Sequence, residues 1–174
     1  MDLVLIFCKL SLAAMFVFSS VTKLRDIEAL AEHIGSTVSL PLRSSAMAWS
    51  VVVAEAAAVL GLLLSDRAGF LVAAAVLVGF TGYLAHVMRS GRAVSCGCTG
   101  SSGADVSGIH LVRNGIALAL AAGGLFAPHV PLRSHALEYA VMTGPAVLSG
   151  VALLYLAELR EFLTLRPVDL GARG

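Results

Sequence analysis

The segment with the clearest chemical potential in this chain holds two cysteines separated by one glycine. Cys96, Gly97 and Cys98 occur in the run Ser95-Cys-Gly-Cys-Thr-Gly100. Sulfurs at this spacing can form a disulfide with each other or share one ligand, and glycine supplies the backbone freedom that so small a ring needs. A strained disulfide is easily reduced, which suits an electron carrier better than a structural crosslink. The segment therefore predicts redox or metal chemistry.

The composition of the chain places this segment between membrane spans. Hydrophobic residues make up 58% of the chain and charged residues 13%, as expected for an integral membrane protein. A bilayer core of roughly 30 Å needs about 20 apolar residues per helix. Five stretches qualify: Leu3 to Val21, Ala46 to Leu64, Gly69 to Met88, Ile109 to Phe126 and Ala136 to Leu156. We expect an all-α, polytopic bundle of four to five transmembrane helices, forming one domain over residues 1–174.

Two parts of this organisation are less regular. The fifth stretch is the weakest, because Glu138 lies in its first turn and Gly144-Pro145 interrupts it. Between the first two spans, the apolar residues of Asp26 to Ile34 recur at helical spacing, which predicts a short helix on the membrane surface that ends at Gly35. The net charge of +1 carries no nucleic-acid signature.

The distribution of Lys and Arg predicts the orientation of the chain. With five spans and the N-terminus outside, eight basic residues fall in inner segments and two, Arg67 and Arg133, in outer ones. This asymmetry favours an outer N-terminus and an inner C-terminus. It also places Cys96 and Cys98 at the cytoplasmic face. Because the chain crosses three times before Cys96, Cys8 should lie toward the opposite face, so a disulfide between Cys8 and the pair is not expected.

The same number of membrane crossings predicts that seven polar residues lie at the face that holds the cysteine pair: Lys23, His86, Arg89, Arg92, His110, Arg113 and Asn114. A positive field there would favour thiolate over thiol. Arg89 and Arg92 are best explained as charges that fix topology, and His86 and His110 as interfacial residues. Arg113 is different, because an arginine inside a span is costly and usually has a partner or a task.

A carboxylate occupies the middle of the second span. Glu55 has apolar residues on both sides, so it should be protonated or buried against a partner. A proton relay, a polar contact to a quinone-like molecule and a structural hydrogen bond all remain open. Lys9 could pair with Glu55 or extend to the near interface. Cys8 is best explained as an apolar core residue.

Several of these features together resemble the MauE family of MauE/DoxX redox-associated membrane proteins. They are Ser20-Val21-Thr22-Lys23-Leu24-Arg25-Asp26 closing the first span, Leu40-Pro41 before the span with Glu55, the Cys96-Gly97-Cys98 loop, and Val112-Arg113-Asn114. The resemblance covers roughly residues 1 to 126. Thr99 stands where the family often has phenylalanine, a departure that leaves both thiols intact.

The resemblance implies a role beside thioredoxin-like proteins in a bacterial inner membrane. It implies that Cys96 and Cys98 exchange electrons with a MauD-like partner, assisting maturation of an exported, disulfide-containing client of the methylamine dehydrogenase type. Arg113 would act with the pair, and Lys23, Glu55, Asn114, His86 and His110 would support it. A quinone is a candidate cofactor. Two alternatives stay open, which are an assembly factor with structural cysteines and a metal site completed by His86 or His110.

Overall fold

A computed structural model of the protein describes residues 2–38, 44–89, 108–127 and 136–156. They form six helices: α1 (Asp2–Arg25), α2 (Ile27–Val38), α3 (Ser44–Leu64), α4 (Asp66–Arg89), α5 (Gly108–Phe126) and α6 (Ala136–Leu154). These ranges contain no strand, which confirms the all-α prediction. Cys96, Cys98 and Arg92 lie outside the described residues.

Five of the six helices are long and apolar enough to cross a membrane. They are Leu3–Arg25, Ser44–Leu64, Asp66–Arg89, Gly108–Phe126 and Leu137–Leu154. The weak fifth stretch is therefore among them. Pro145 lies inside α6, and the helix continues through it, although proline removes one backbone hydrogen bond. The protein is a multi-pass membrane protein.

The helices α1, α3, α4 and α5 form a four-helix bundle, and α6 lies along the outside of α1. Much of the bundle interior is apolar, built from long side chains such as Leu12, Phe16, Leu62, Phe70 and Leu77. Where α5 meets α4, the ring of Phe70 fills the space that a Cβ at Gly124 would occupy.

Residues 90–107 join α4 to α5, and we call the end of the bundle that bears them the loop end.

The contact between α1 and α6 depends on one close backbone approach. A Cβ at Gly150 would collide with the Ser11 carbonyl oxygen and would lie 3.1 Å from both the Ala14 Cβ and the Met15 nitrogen. Without a side chain at this position, the two backbones come together directly, as is common between membrane helices.

Two helix boundaries differ from the sequence prediction. The first span continues to Arg25, because Lys23 is buried in the bundle rather than solvated beyond it. The short helix α2 runs past Gly35 to Val38, so the prediction that Gly35 ends it was wrong. A glycine inside a helix costs only about 1 kcal/mol, and α2 packs against α3, with the Cβ position of Gly35 3.4 Å from the Ser44 Cβ. Tertiary packing offsets the weak local preference.

Candidate functional site

Glu55 is the centre of a buried hydrogen-bond network between α3 and α1. Ser19 donates its hydroxyl to Glu55 Oε1 at 2.8 Å, and Ser20 donates to Oε2 at 3.1 Å. Lys23 Nζ forms an ion pair with Glu55 Oε1 and donates to Ser19 Oγ at 2.6 Å. All three donors come from the last two turns of α1, where residues three and four apart share one helix face. Glu55 itself is 1% exposed.

The partners of Glu55 satisfy its carboxylate inside the bundle. It accepts hydrogen bonds from two hydroxyls and is paired with an ammonium, and hydrogen bonds of this charge-assisted kind are stronger than neutral ones. Lys23 also lies over the ring of Phe80 on α4, with Nζ 5.2 Å from the ring centroid, within the range of a cation–π contact. The ammonium and the carboxylate are thus both enclosed by protein and balance each other's charge.

Lys9 has a different partner from the one considered in the sequence analysis. Its Nζ donates to Asp66 Oδ1 at 2.8 Å, and the two side chains are 4% and 19% exposed. Asp66 is the first residue of α4, where the helix dipole also favours a negative charge. The alternative that Lys9 pairs with Glu55 was therefore wrong. The two ion pairs attach opposite halves of α1 to the α3–α4 hairpin.

The first two turns of α5 carry three buried polar side chains, His110, Arg113 and Asn114. Arg113 is 6% exposed, and its Nη1 donates to the Leu154 carbonyl of α6 at 3.4 Å. Asn114 Nδ2 donates to Thr81 Oγ1 of α4 at 3.5 Å, while Thr81 donates to the Leu77 carbonyl at 2.7 Å. Consecutive residues on α5 therefore contact different neighbouring helices.

These groups form one polar layer across the bundle. We define the polar layer as Ser19, Ser20 and Lys23 of α1, Glu55 of α3, Phe80 and Thr81 of α4, and Arg113 and Asn114 of α5. Phe80 and Thr81 are adjacent in sequence, so α4 connects the Lys23 network to Asn114. Arg113 and Asn114 lie only about 8 Å along α5 from its first residue. The layer is thus in the half of the bundle nearest the loop end.

Three of the five residues proposed to support the cysteine pair lie in the polar layer, namely Lys23, Glu55 and Asn114, and Arg113, which was proposed to act with the pair, lies there too. His110 is buried one turn before Arg113, whereas His86 on α4 is exposed. Cys8 is buried, and the Cβ position of Gly123, near the far end of α5, is 3.7 Å from its Sγ. Cys8 therefore packs away from the loop end, as the crossing count predicts.

Arg113 leaves much of its hydrogen-bonding capacity unused. A guanidinium has five N–H donors, yet within the described part of the chain Arg113 makes one long hydrogen bond, and its buried Nε has no partner. By contrast, the described residues contain no group of three or more His, Cys, Asp or Glu that could hold a metal ion. Within the described residues, Arg113 is therefore a buried cation with unused hydrogen-bond donors in the second turn of α5.

Sequence analysis did not identify three members of the polar layer, Ser19, Phe80 and Thr81, or the partner of Lys9, Asp66. One signal could have found Ser19, since it precedes Lys23 by four positions and so shares its helix face. The others could not be found in this way, because their partners belong to different helices.

The sequence matches the family model described as methylamine utilisation protein MauE over residues 1–127. This range contains α1 to α5, and so the whole polar layer and the loop with Cys96 and Cys98. No curated protein and no solved structure matches the chain. The match and the five apolar helices together indicate a multi-pass membrane protein of methylamine utilisation.

Proposed function

Because the chain belongs to the MauE family of methylamine utilisation proteins, we propose that it is a membrane thiol-disulfide redox protein that passes electrons through Cys96 and Cys98. In one direction, one cysteine attacks a disulfide of the partner, and the other cysteine resolves the mixed disulfide. In the reverse direction, a partner thiolate attacks the Cys96–Cys98 disulfide and releases one of the two cysteines as a thiolate, and the second thiol of the partner resolves the mixed disulfide. The pair cycles between a dithiol and an intramolecular disulfide.

The observation that carries this proposal is the unsaturated guanidinium of Arg113. Cys98 precedes Gly108, the first residue of α5, by ten positions, and Arg113 lies in the second turn of that helix. A fixed cation beside a thiol lowers the thiol pKa and so raises the thiolate fraction that reacts. Arg113 has free donors for such an anion, while Lys23 is already engaged by Glu55.

The Lys23–Glu55 network holds the helices of the bundle in position for this chemistry. Its donors and acceptors are matched to one another, and it attaches α1 to α3, with Phe80 beneath Lys23. Asn114 attaches α5 to α4 through Thr81. Both helices that flank the cysteine loop are thus held by polar contacts in one layer. We assign these residues to positioning, and the exchange itself to the two cysteines with Arg113.

The partner of the exchange is, in this proposal, a thioredoxin-like protein of the MauD type. The chain would reside in the bacterial inner membrane and assist maturation of an exported protein that contains disulfides. A quinone is not assigned a role, because Glu55, the residue considered for contact with one, is 1% exposed and its carboxylate oxygens are engaged by Ser19, Ser20 and Lys23.

The test is to trap the mixed disulfide. Cys96→Ser and Cys98→Ser are each expressed with the thioredoxin-like partner and separated on non-reducing gels. One of the two should accumulate a covalent adduct, because its resolving thiol is missing, and Arg113→Leu should slow formation of the adduct. If neither single variant forms an adduct and the double variant retains full activity, the chain acts as an assembly factor instead.

A further inference from the structure

The long helices of the bundle form two units, and each unit is closely packed within itself. In the first unit, α6 lies against α1, where Gly150 lets the two backbones meet. In the second unit, α4 packs on both α3 and α5. A Cβ at Gly69 of α4 would collide with the backbone of α3, and a Cβ at Gly124 of α5 would collide with the ring of Phe70. Because such contacts leave no spare volume, each unit behaves as one body.

The boundary between the two units is different, because buried polar contacts cross it. These contacts join Lys9 to Asp66, Lys23 to Glu55, and Arg113 to the Leu154 carbonyl. At Gly123 of α5, which faces α1, a Cβ would lie 3.7 Å from the Cys8 Sγ, which is an ordinary van der Waals distance. At this point the two units are therefore packed less tightly than the helices within each unit.

The two ion pairs on this boundary are held to different extents. At the loop end, Glu55 is 1% exposed and accepts hydrogen bonds from two serines in addition to its pairing with Lys23. At the opposite end, which we call the far end, Asp66 is 19% exposed and is joined to Lys9 at 2.8 Å through one of its oxygens. Ion pairs that water can reach contribute less to stability than buried, multiply bonded ones. The boundary is therefore held more weakly at the far end.

We propose that the bundle opens at the far end by movement of α1 and α6 away from α3, α4 and α5, and that the Lys9–Asp66 ion pair is the latch that keeps this end closed. The pivot lies at the loop end, where the Glu55 network holds α1. The chain also turns there, at Asp26, between α1 and α2. Because α2 packs on α3, this turn is the point at which the chain passes from one unit to the other.

Opening at the far end brings water to the boundary beside Cys8 and Lys9, while the polar layer stays closed. The device thus gives small solutes access to the bundle from the face opposite the loop end. It does not depend on the chemistry of the cysteine pair.

Cys8 is a native reporter of this opening. It is 4% exposed and lies on the boundary beside Gly123, so a water-soluble maleimide reacts with it at a rate set by the fraction of open molecules. The full-length protein is treated with the maleimide in detergent under native conditions. Alkylation of Cys8 is followed by mass spectrometry of its peptide, which is separate from the peptide with Cys96 and Cys98.

Asp66→Asn removes the latch and should raise the rate of Cys8 alkylation about fivefold. The double variant Lys9→Met/Asp66→Asn carries no unpaired charge and should react as fast, because the latch is still missing. Glu55→Gln is the matched control, since it also replaces the carboxylate partner of a lysine on α1 with an amide, but at the loop end. It should leave the rate near the wild-type value, although it removes a more deeply buried ion pair.

Three results would overturn the proposal. The first is an unchanged rate in Asp66→Asn. The second is a wild-type rate in the double variant, because an unpaired buried charge would then explain the effect of Asp66→Asn. The third is a larger increase in Glu55→Gln than in Asp66→Asn, because the reactivity of Cys8 would then follow the global stability of the bundle. None of these results bears on the exchange at Cys96 and Cys98, which the adduct experiment tests separately.

Discussion

Glu55 accepts hydrogen bonds from two serines and forms an ion pair with Lys23, so each of these two buried residues has the other as its charge partner. From the sequence, Glu55 is expected to be uncharged unless it has a cationic partner, and Lys23 provides that partner. Replacing either residue should lower the stability of the bundle strongly, because removing one member of a buried pair leaves the other charge uncompensated.

We therefore predict that Glu55→Gln destabilises the bundle by about 3–5 kcal/mol, and that Lys23→Met does the same. Combining Lys23→Met with Glu55→Met should recover most of the loss, since neither charge then remains. Denaturant unfolding in detergent, followed by circular dichroism, measures this. If Glu55→Gln folds as well as the wild type and also loses redox turnover, Glu55 acts as a proton relay instead of a structural group.

Cys8 provides a second prediction about an individual side chain. It is buried near Gly123, away from the loop end, so Cys8→Ala should leave activity and the oxidation state of Cys96 and Cys98 unchanged. Stability should fall by about 1 kcal/mol or less, as expected for loss of one small buried group. Alkylation of the loop cysteines in the variant checks this, and loss of turnover would instead argue for a thiol relay across the membrane.

The identity of the important polar residues could be predicted from sequence, but their partners could not. Glu55 and Arg113 stand out because each interrupts an apolar span, and Lys23 because it closes one. Which cation reaches Glu55 depends on the rotation and depth of α1 against α3. Lys9 and Lys23 both lie on α1, and only packing directs the first to Asp66 and the second to Glu55.

Among the helices, the contact of α6 with α1 makes a prediction about close packing. Gly150→Ala would force the added methyl group against the Ser11 carbonyl oxygen, so α6 must shift away from α1. We expect a loss of about 1–3 kcal/mol, typical of overpacking in a tight interface. Gly79→Ala on α4 is the control, because a Cβ there meets nothing within 4 Å, and it should be neutral or slightly stabilising. Denaturant unfolding curves of the two glycine variants measure this difference, and equal free energies of unfolding would contradict the packing described here.

All five spans could be predicted from the sequence, because each contains an apolar run long enough to cross a membrane. The ends of the helices were harder to predict. α1 is longer than its apolar run because its last turns bury Ser19 and Lys23 against Glu55. α2 passes through Gly35 because it packs on α3. In both cases a tertiary contact outweighs the local signal, and such a contact cannot be inferred from one helix alone.

At the scale of the whole bundle, the membrane orientation stays a prediction. Lys23 is neutralised inside the bundle, which removes it from the count of free inner charges, yet seven basic residues against two still favour an outer N-terminus. A phosphatase active only outside the cytoplasm, fused after Gly100, should be inactive. The exchange partner would then be cytoplasmic. An active fusion would reverse the orientation and place the cysteine pair beside exported clients.

The central claim is that Cys96 and Cys98 form a reversible disulfide, and a redox titration of the purified protein tests it most directly. The protein is equilibrated in dithiothreitol buffers that cover a range of reduction potentials and is then alkylated under denaturing conditions. It is digested, and the peptides are analysed by mass spectrometry. The account predicts that the peptide with Cys96 and Cys98 changes from two alkyl groups to none in a single two-electron step, while Cys8 is alkylated throughout. Two alkyl groups on that peptide at every potential would contradict it.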